Sequence, residues 1–306
     1  MNTEHQPHVV VGVDGTEDNL GALRYAVAEA ASRGATLQLV HVVPDYLPVS
    51  PMFPATPADL TKVGTWILED AAEKARAIDP DVPVEGWLRH GTRPMQLVEA
   101  GEHAELLVVG RDARPLVERL LRGDTTTGVA ARSTVPVVQV PSTWQPHENG
   151  RVVVGVKAPA HAAELLAAAF AAARRRKATL VVVHAWKLPS AYDDIIEVRV
   201  DLESWKAEAA LEMEALLRDW RTTYPDVPIE VRIVHDYAGH ALVEASRDAD
   251  LLLVVRRRHG IPAAVHLGGT ARTVLRAAEC PVKVVAPTEH PPIPSLAVEE
   301  DGRMVR

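Results

Sequence analysis

The sequence predicts an α/β protein made of two tandem, doubly wound, five-stranded parallel-sheet domains, and three observations lead to that class. The first is an internal duplication: HVVVGV at 8–13 recurs as RVVVGV at 151–156, and the same offset of 143 carries His41 in LVHVV onto His184 in VVHAW. Further along the offset becomes 145, taking PDVPVE at 80–85 onto PDVPIE at 225–230, AELLVV at 104–109 onto ADLLLV at 249–254, and VPVV at 135–138 onto CPVK at 280–283. A period this long describes whole domains rather than solenoid units. The second is the alternation, inside each copy, of short apolar runs with stretches of helical period, the pattern of βαβ units. The third is size: 306 residues with 47% hydrophobic content supply an ordinary core for two domains.

Taken in order, VVVGV at 9–13, TLQLVHVV at 36–43, PVEGWL at 83–88, LLVV at 106–109 and VPVVQV at 135–140 read as the five strands of the first copy. The fourth is apolar throughout, as a strand covered on both faces must be. Between the first two strands, Leu20, Leu23, Val27 and Ala30 recur at helical spacing, and Leu165, Leu166, Ala169 and Ala173 repeat this in the second copy. Right-handed crossovers then place helices on both faces of the sheet. The domains are expected at 1–141 and 151–287, joined by an exposed, solvated linker at 142–150 whose Pro, Asn and Gly favour that state, with a disordered, proline-bearing tail at 288–306. Trp66, Trp205 and Trp220 read as helix packing residues. The proline-rich stretch from Pro44 to Pro57 reads as a stiff loop.

Composition narrows the function classes. A net charge of −8 argues against an electrostatic nucleic-acid binder. No apolar stretch reaches the length of a spanning helix. The single Cys280 has no internal disulfide partner, and MNTEHQPH lacks the basic region and apolar run of a signal peptide, so a cytoplasmic protein is expected. Thirteen histidines show no metal-site spacing, so no metal ligand is assigned; His41 and His184 lie inside expected strands. No GxSxG, HExxH or Cys–His arrangement supplies a nucleophile, so the protein is not expected to be an enzyme.

In open parallel sheets, ligands collect at the carboxyl ends of the strands. After the first strand, Gly12, Val13 and Asp14 lead into a sharp turn at Gly15, where the Asp14 carboxylate either accepts from a nucleoside or only caps the next helix. After the fourth strand, GRDARPLVERLLRGDTTTGV holds Gly110 and Gly123, with Thr125, Thr126 and Thr127 where the next helix begins. Glycine lets backbone N–H groups approach a phosphate, and a helix start adds partial positive charge.

Together the VVVGVDGT opening, VHVV, ELLVVGRD and a GxxGx9G(S/T) loop resemble the universal stress protein family in its tandem form, over nearly the whole chain apart from the tail. The resemblance implies an adenine nucleotide alpha hydrolase-like domain with strand order 3-2-1-4-5. It implies that Asp14 contacts the nucleoside, that backbone at Val42 or Val43 frames the adenine, and that Gly110, Gly123 and Thr125 hold phosphates. The loop departs from the family pattern: Ala113 replaces a glycine and Asp124 stands where Ser or Thr is expected. A carboxylate ~4 Å from a phosphate charge costs about 4 kcal/mol at an effective dielectric of 20, unless Mg2+ or an arginine such as Arg111, Arg114 or Arg122 offsets it. The ligand expected is ATP, with ADP or AMP as the alternatives.

In the second copy, Lys157 takes the place of Asp14, Val255 that of Gly110, Arg258 that of Ala113, Gly268 that of Gly123 and Gly269 that of Asp124. Nucleotide binding in the family manner is not expected there. Lys157, Arg256, Arg257, Arg258 and His259 are instead read as cations converging on the strand ends, either an anion site or solvated and ion-paired with Asp193, Asp194 or Glu197. The fifth strands, at 135–140 and 281–286, are expected at sheet edges and to pair as an intramolecular pseudo-dimer, a mode the resemblance also implies. The function expected is a stress-response regulatory module binding an adenine nucleotide in the first domain and acting through an unidentified protein partner, with a homodimer of whole chains as a further assembly. The alternatives are a slow ATPase of the same fold and a pseudo-dimer that binds no nucleotide.

Overall fold

The computed structural model describes residues 6–45, 56–111, 125–147, 149–157, 162–187, 202–256 and 267–286. The first copy consists of β1 (His8–Gly12), α1 (Leu20–Arg33), β2 (Thr36–Val43), α2 (Pro57–Ile78), β3 (Val84–His90), α3 (Arg93–Ala100), β4 (Leu106–Gly110), α4 (Thr125–Arg132) and β5 (Val137–Val140). The second repeats this plan as β6 (Arg151–Gly155), α5 (Ala163–Arg176), β7 (Thr179–Trp186), α6 (Leu202–Thr223), β8 (Ile229–His235), α7 (Ala238–Ser246), β9 (Leu251–Val255), α8 (Gly269–Ala277) and β10 (Val282–Val285). All ten strands form one sheet in the order β3-β2-β1-β4-β5-β10-β9-β6-β7-β8, so each copy has the order 3-2-1-4-5.

The side-chain alternation of each strand builds two apolar layers. Val9, Val11, Leu37 and Leu39 point toward α1 and α2, and their cluster continues into the second copy through Leu165, Phe170, Met213 and Leu217. Val10, Val40 and Val42 point to the opposite face, with Leu97 of α3, Val129 of α4 and Val274 of α8. The helix boundaries follow local chemistry. Gly34 ends α1 with a left-handed φ of 61°, its N–H bonded to the Ala30 and Ala31 carbonyls, while Thr56 and Asp59 close a capping box ahead of Pro57.

Within a copy the strands run parallel, but β5 and β10 pair antiparallel with Val282 opposite Gln139, Lys283 opposite Val138 and Val284 opposite Val137. The two exposed edges are thereby consumed in one continuous sheet. Over this seam lies a buried ionic cluster. Glu29 bonds Arg33 at 2.7 Å and also Arg176 of the other copy, which donates to the Tyr25 hydroxyl at 3.0 Å. Burial alone works to raise the Glu29 carboxyl, yet Arg176 and Arg33 overcome it and hold the group down at about 2. Burial pushes the Lys283 ammonium on β10 down to about 8, with Glu29 opposing and Arg33, Arg175 and Arg176 reinforcing the shift.

Two expectations need correction. Trp66 is 61% exposed and packs no helix into the core, whereas Trp205, 39% exposed, meets the Trp186 ring of β7 at 5.4 Å and Trp220 stacks on Phe170 at 5.4 Å. The buried stripe of α2 is instead Gly64, Ile67, Leu68, Ala71, Ala72 and Ala75. A Cβ on Gly64 would lie 2.6 Å from Leu88, so helix and sheet approach too closely for bulk on that face. Within the connection between the copies, Trp144 turns inward and meets the Tyr25 ring edge-on at 5.4 Å, anchoring a segment expected to be solvated. The tail, the loop centre at 46–55 and the acidic residues Asp193, Asp194 and Glu197 lie outside the described residues.

Candidate nucleotide site

At the carboxyl ends of β1, β2 and β4 lies a cavity of about 280 Å³ lined by residues that include Gly12, Val13, Asp14, Val42, Gly110, Arg111 and Thr125. The turn after β1 is built from the Asp14 side chain: its Oδ1 accepts from the Thr16 amide at 3.0 Å and the Thr16 hydroxyl at 2.7 Å. Gly15 follows at a left-handed φ of 78°, as such a turn requires. Among the described residues Oδ2 of this exposed carboxylate has no hydrogen-bond partner, so one oxygen shapes the turn and the other is open to a ligand donor. The two roles weighed for Asp14 are therefore compatible.

The floor is held by side chains that reach between strand ends. His41 on β2 makes a 2.8 Å bond from Nδ1 to the Val13 carbonyl, and His184 repeats it on Val156 at 3.0 Å in the second copy. Burial lowers the His41 imidazole below its ordinary value, against the Val13 hydrogen bond that favours the cation. Because the Val13 carbonyl can only accept, the ring donates from Nδ1. Asn19 donates from its amide to the Gly12 carbonyl at 3.1 Å, and a Cβ on Gly110 would stand 3.0 Å from that same amide nitrogen. Gly110 thus makes room for the crosslink. Thr126 spends its hydroxyl on the Gly110 carbonyl at 3.1 Å, which docks the first turn of α4 onto the end of β4.

The expected residues sort as follows. Gly12, Val13, Asp14, Val42, Gly110, Arg111 and Thr125 converge on the cavity. Val43 does not: its carbonyl accepts from the Gly91 amide at 3.0 Å, and its side chain faces Gly64 of α2, the opposite side of the sheet. Ala113, Gly123, Asp124, Arg114 and Arg122 lie outside the described residues. Arg111 lines the cavity, but its guanidinium donates to the Ala278 carbonyl of the second copy. Sequence reasoning missed Asn19 and Arg93. Arg93 was open to detection, because it opens a helix directly after the third strand, at the same end of the sheet as Asp14.

In the second copy, Lys157 is exposed at the end of β6 and Val255 fills the position of Gly110. The cluster of cations expected there is not assembled around Arg256. That guanidinium turns into the seam and donates to the Ala131 and Ser133 carbonyls, each at 2.9 Å. Arg257, Arg258 and His259 lie outside the described residues. Among the described residues no helix is long and apolar enough to cross a membrane.

Comparison with known proteins agrees with this architecture. The model of the universal stress protein family matches residues 7–141 and again 148–286. A universal stress protein of Mycobacterium tuberculosis is 31% identical over 301 residues, covering 93% of this chain and 99% of that protein. One from Mycolicibacterium smegmatis is 27% identical over 290 residues, covering 91% and 97%. The crystal structure of a universal stress protein from Archaeoglobus fulgidus superposes with a TM-score of 0.70 at 17% identity, covering 92% of this chain and 97% of the other, and shares the fold. With two family matches that together span most of the chain, and a relative aligned along almost its whole length, this protein belongs to the universal stress protein family as a tandem, two-domain member.

Proposed function

We propose that the first copy is a regulatory module that binds an adenine nucleotide without turning it over, and that the second copy serves structure rather than a nucleotide of its own. The observation that carries this reading is the meeting, around one cavity, of an open Asp14 oxygen, the backbone of Gly110 and the N-terminal turn of α4. The residues fit the ligand. Asp14 Oδ2 suits a ribose hydroxyl, backbone at Val42 the adenine, and Gly110 with Thr125 at a helix start suits phosphate. Arg93 adds a cation at the rim. A volume of about 280 Å³ sits near the lower end of the roughly 300–1,000 Å³ usual for ligand pockets.

Titration calorimetry of the full chain with ATP, ADP and AMP, with and without Mg2+, tests the reading. Saturable binding of at least one nucleotide is expected, and Asp14→Ala weakens it about tenfold or more, the magnitude of a hydrogen bond to a charged group. No saturable heat at millimolar ligand for any of the three overturns the nucleotide assignment. Phosphate release that Asp14→Ala abolishes overturns the non-enzymatic part.

A further inference from the structure

Two arginines occupy corresponding places after the fourth strand of each copy: Arg111 follows β4 and Arg256 follows β9. Their backbones are bound alike, Arg111 N–H to the Val140 carbonyl at 2.7 Å and Arg256 N–H to the Val285 carbonyl at 3.0 Å. Their side chains both cross the seam, and the carbonyls they reach, Ala278 and Ser133, themselves correspond at the offset of 145. The crossing is symmetric in geometry. Its consequence differs between the copies, because α4 is the helix whose first turn lines the candidate nucleotide cavity.

The last carbonyls of a helix have no intrahelical donor. In α4 they are buried in the seam: Ala131 is 4% and Ser133 is 2% exposed, so water does not replace a protein donor. Arg256 supplies that donor to both carbonyls from one nitrogen, and its positive charge sits at the negative end of the helix dipole. The other end of the same helix is pinned by Thr126 on Gly110. An eight-residue helix is too short to be stable by itself, so its position is set by what grips its two ends.

We infer that Arg256 of the second copy is a positioning residue for the first copy's nucleotide site, holding α4 from its C-terminal end so that its N-terminal turn stays aimed at the cavity. The second copy then has a defined task despite Lys157 and Val255: it completes the site of its neighbour. This inference rests on the nucleotide reading of the cavity for its functional consequence, whereas the mechanical link through α4 stands on the hydrogen bonds alone.

The test uses the full chain with Arg256→Met, which removes the donors while keeping an unbranched side chain, and Arg256→Lys, which keeps the charge and decides the matter should the first variant fail to fold. Glu29→Gln is the control, because it weakens the seam without touching α4. Adenine nucleotide affinity is expected to fall about tenfold in Arg256→Met, within the usual range of coupling between sites, to fall less in Arg256→Lys, and to stay within twofold in Glu29→Gln. Hydrogen exchange without ligand is expected to quicken at the Val129 to Ser133 amides in Arg256→Met and not in Glu29→Gln. Affinity within twofold of the parent in Arg256→Met, or an equal loss in Glu29→Gln, overturns the inference. If the parent chain binds no adenine nucleotide, the nucleotide reading fails by itself, and the exchange measurement decides the link: unchanged exchange in Arg256→Met refutes it.

Discussion

Lys283 offers the sharpest test of how the seam is balanced. Lys283 is 8% exposed on β10, opposite Val138, and among the described residues its ammonium has no hydrogen bond or ion pair. Burial lowers its pKa from 10.5 to about 8, so the folded state binds this proton less tightly than the unfolded chain. The sign follows: below pH 8 both states carry the charge and the folded state bears the whole penalty. As pH rises from 8 toward 10.5 the folded state sheds the proton and stability increases. A displacement of this size corresponds to about 3 kcal/mol at 1.36 kcal/mol per pH unit. Lys283→Met removes the charge and keeps an unbranched apolar side chain. Some attraction to Glu29 is lost with it, but Arg33 and Arg176 still neutralise that carboxylate, leaving an expected gain of about 1–3 kcal/mol at pH 7. Urea unfolding of both proteins at pH 6.5, 7.5, 8.5 and 9.5 measures the difference. Burial also raises the Cys280 thiol, to about 12, and the Tyr25 hydroxyl; both groups are present in the two proteins and cancel in that difference. The gap between variant and parent is expected to shrink by about 2 kcal/mol between pH 8 and 9.5. A gap that stays constant across the series, or a variant less stable than its parent at pH 7, refutes the reasoning.

Two further outcomes follow from the same geometry. Glu29→Gln removes the carboxylate that Arg33 and Arg176 hold down at about 2, and costs about 3 kcal/mol at pH 7; because this stability is fully present above the ordinary carboxylate range and lost as pH falls toward 2, denaturant midpoints of parent and variant should converge on acidification, and parallel curves would count against the pairing. Gly15→Ala places a Cβ 2.8 Å from Ile67 Cγ1 at a φ of 78° and is expected to cost about 1–3 kcal/mol, seen as a lowered thermal midpoint, with an unchanged midpoint ruling out the strain.

How much of this was legible in the sequence depends on whether a feature is local. The duplication, the strand sequence and the convergence of Asp14, Gly110 and Thr125 could be read, because strand periodicity and strand-end loops are properties of short segments. The resemblance offered backbone at Val42 or Val43 for the adenine; a period of two sends the two side chains to opposite faces, and only the fold shows that Val42 is the one at the cavity. Trp66 fell on the wrong side for a related reason. In α2 the buried stripe runs through Gly64, Ile67, Leu68, Ala71, Ala72 and Ala75 and Trp66 lies off it; Gly64 and Ala71 on that stripe are small enough to let the helix settle close. Asn19 was missed because it meets the site only once its helix has packed, whereas Arg93 was legible from its place directly after the third strand. Arg256 was misplaced for the strongest reason of this kind: a run of cations at a strand end suggests an anion site so long as the other copy is left out of view, and here that copy provides the partners.

The seam also shows why two similar copies need not be interchangeable. Arg33 and Arg176 correspond at the offset of 143, and Lys283 lies opposite Val138, the residue to which it corresponds at 145, so the pairing is close to two-fold in its backbone. Its charges are not. Glu29 corresponds to Ala172, and Lys283 to Val138, so the buried carboxylate of the cluster comes from the first copy and the lysine from the second. Were two β10 edges to pair in the same register, Lys283 would oppose another Lys283 beside two copies of Arg176 with no Glu29 to neutralise them. Buried like charges without a counter-ion are heavily penalised. The β10 edge is therefore compatible with a first copy and not with its own kind. What joins the halves is thus an unequal division of charge laid over an equal division of strands; the crossing arginines belong to the equal part, since Arg111 reaches Ala278 as Arg256 reaches Ser133, and only the candidate cavity beside α4 makes their consequences differ.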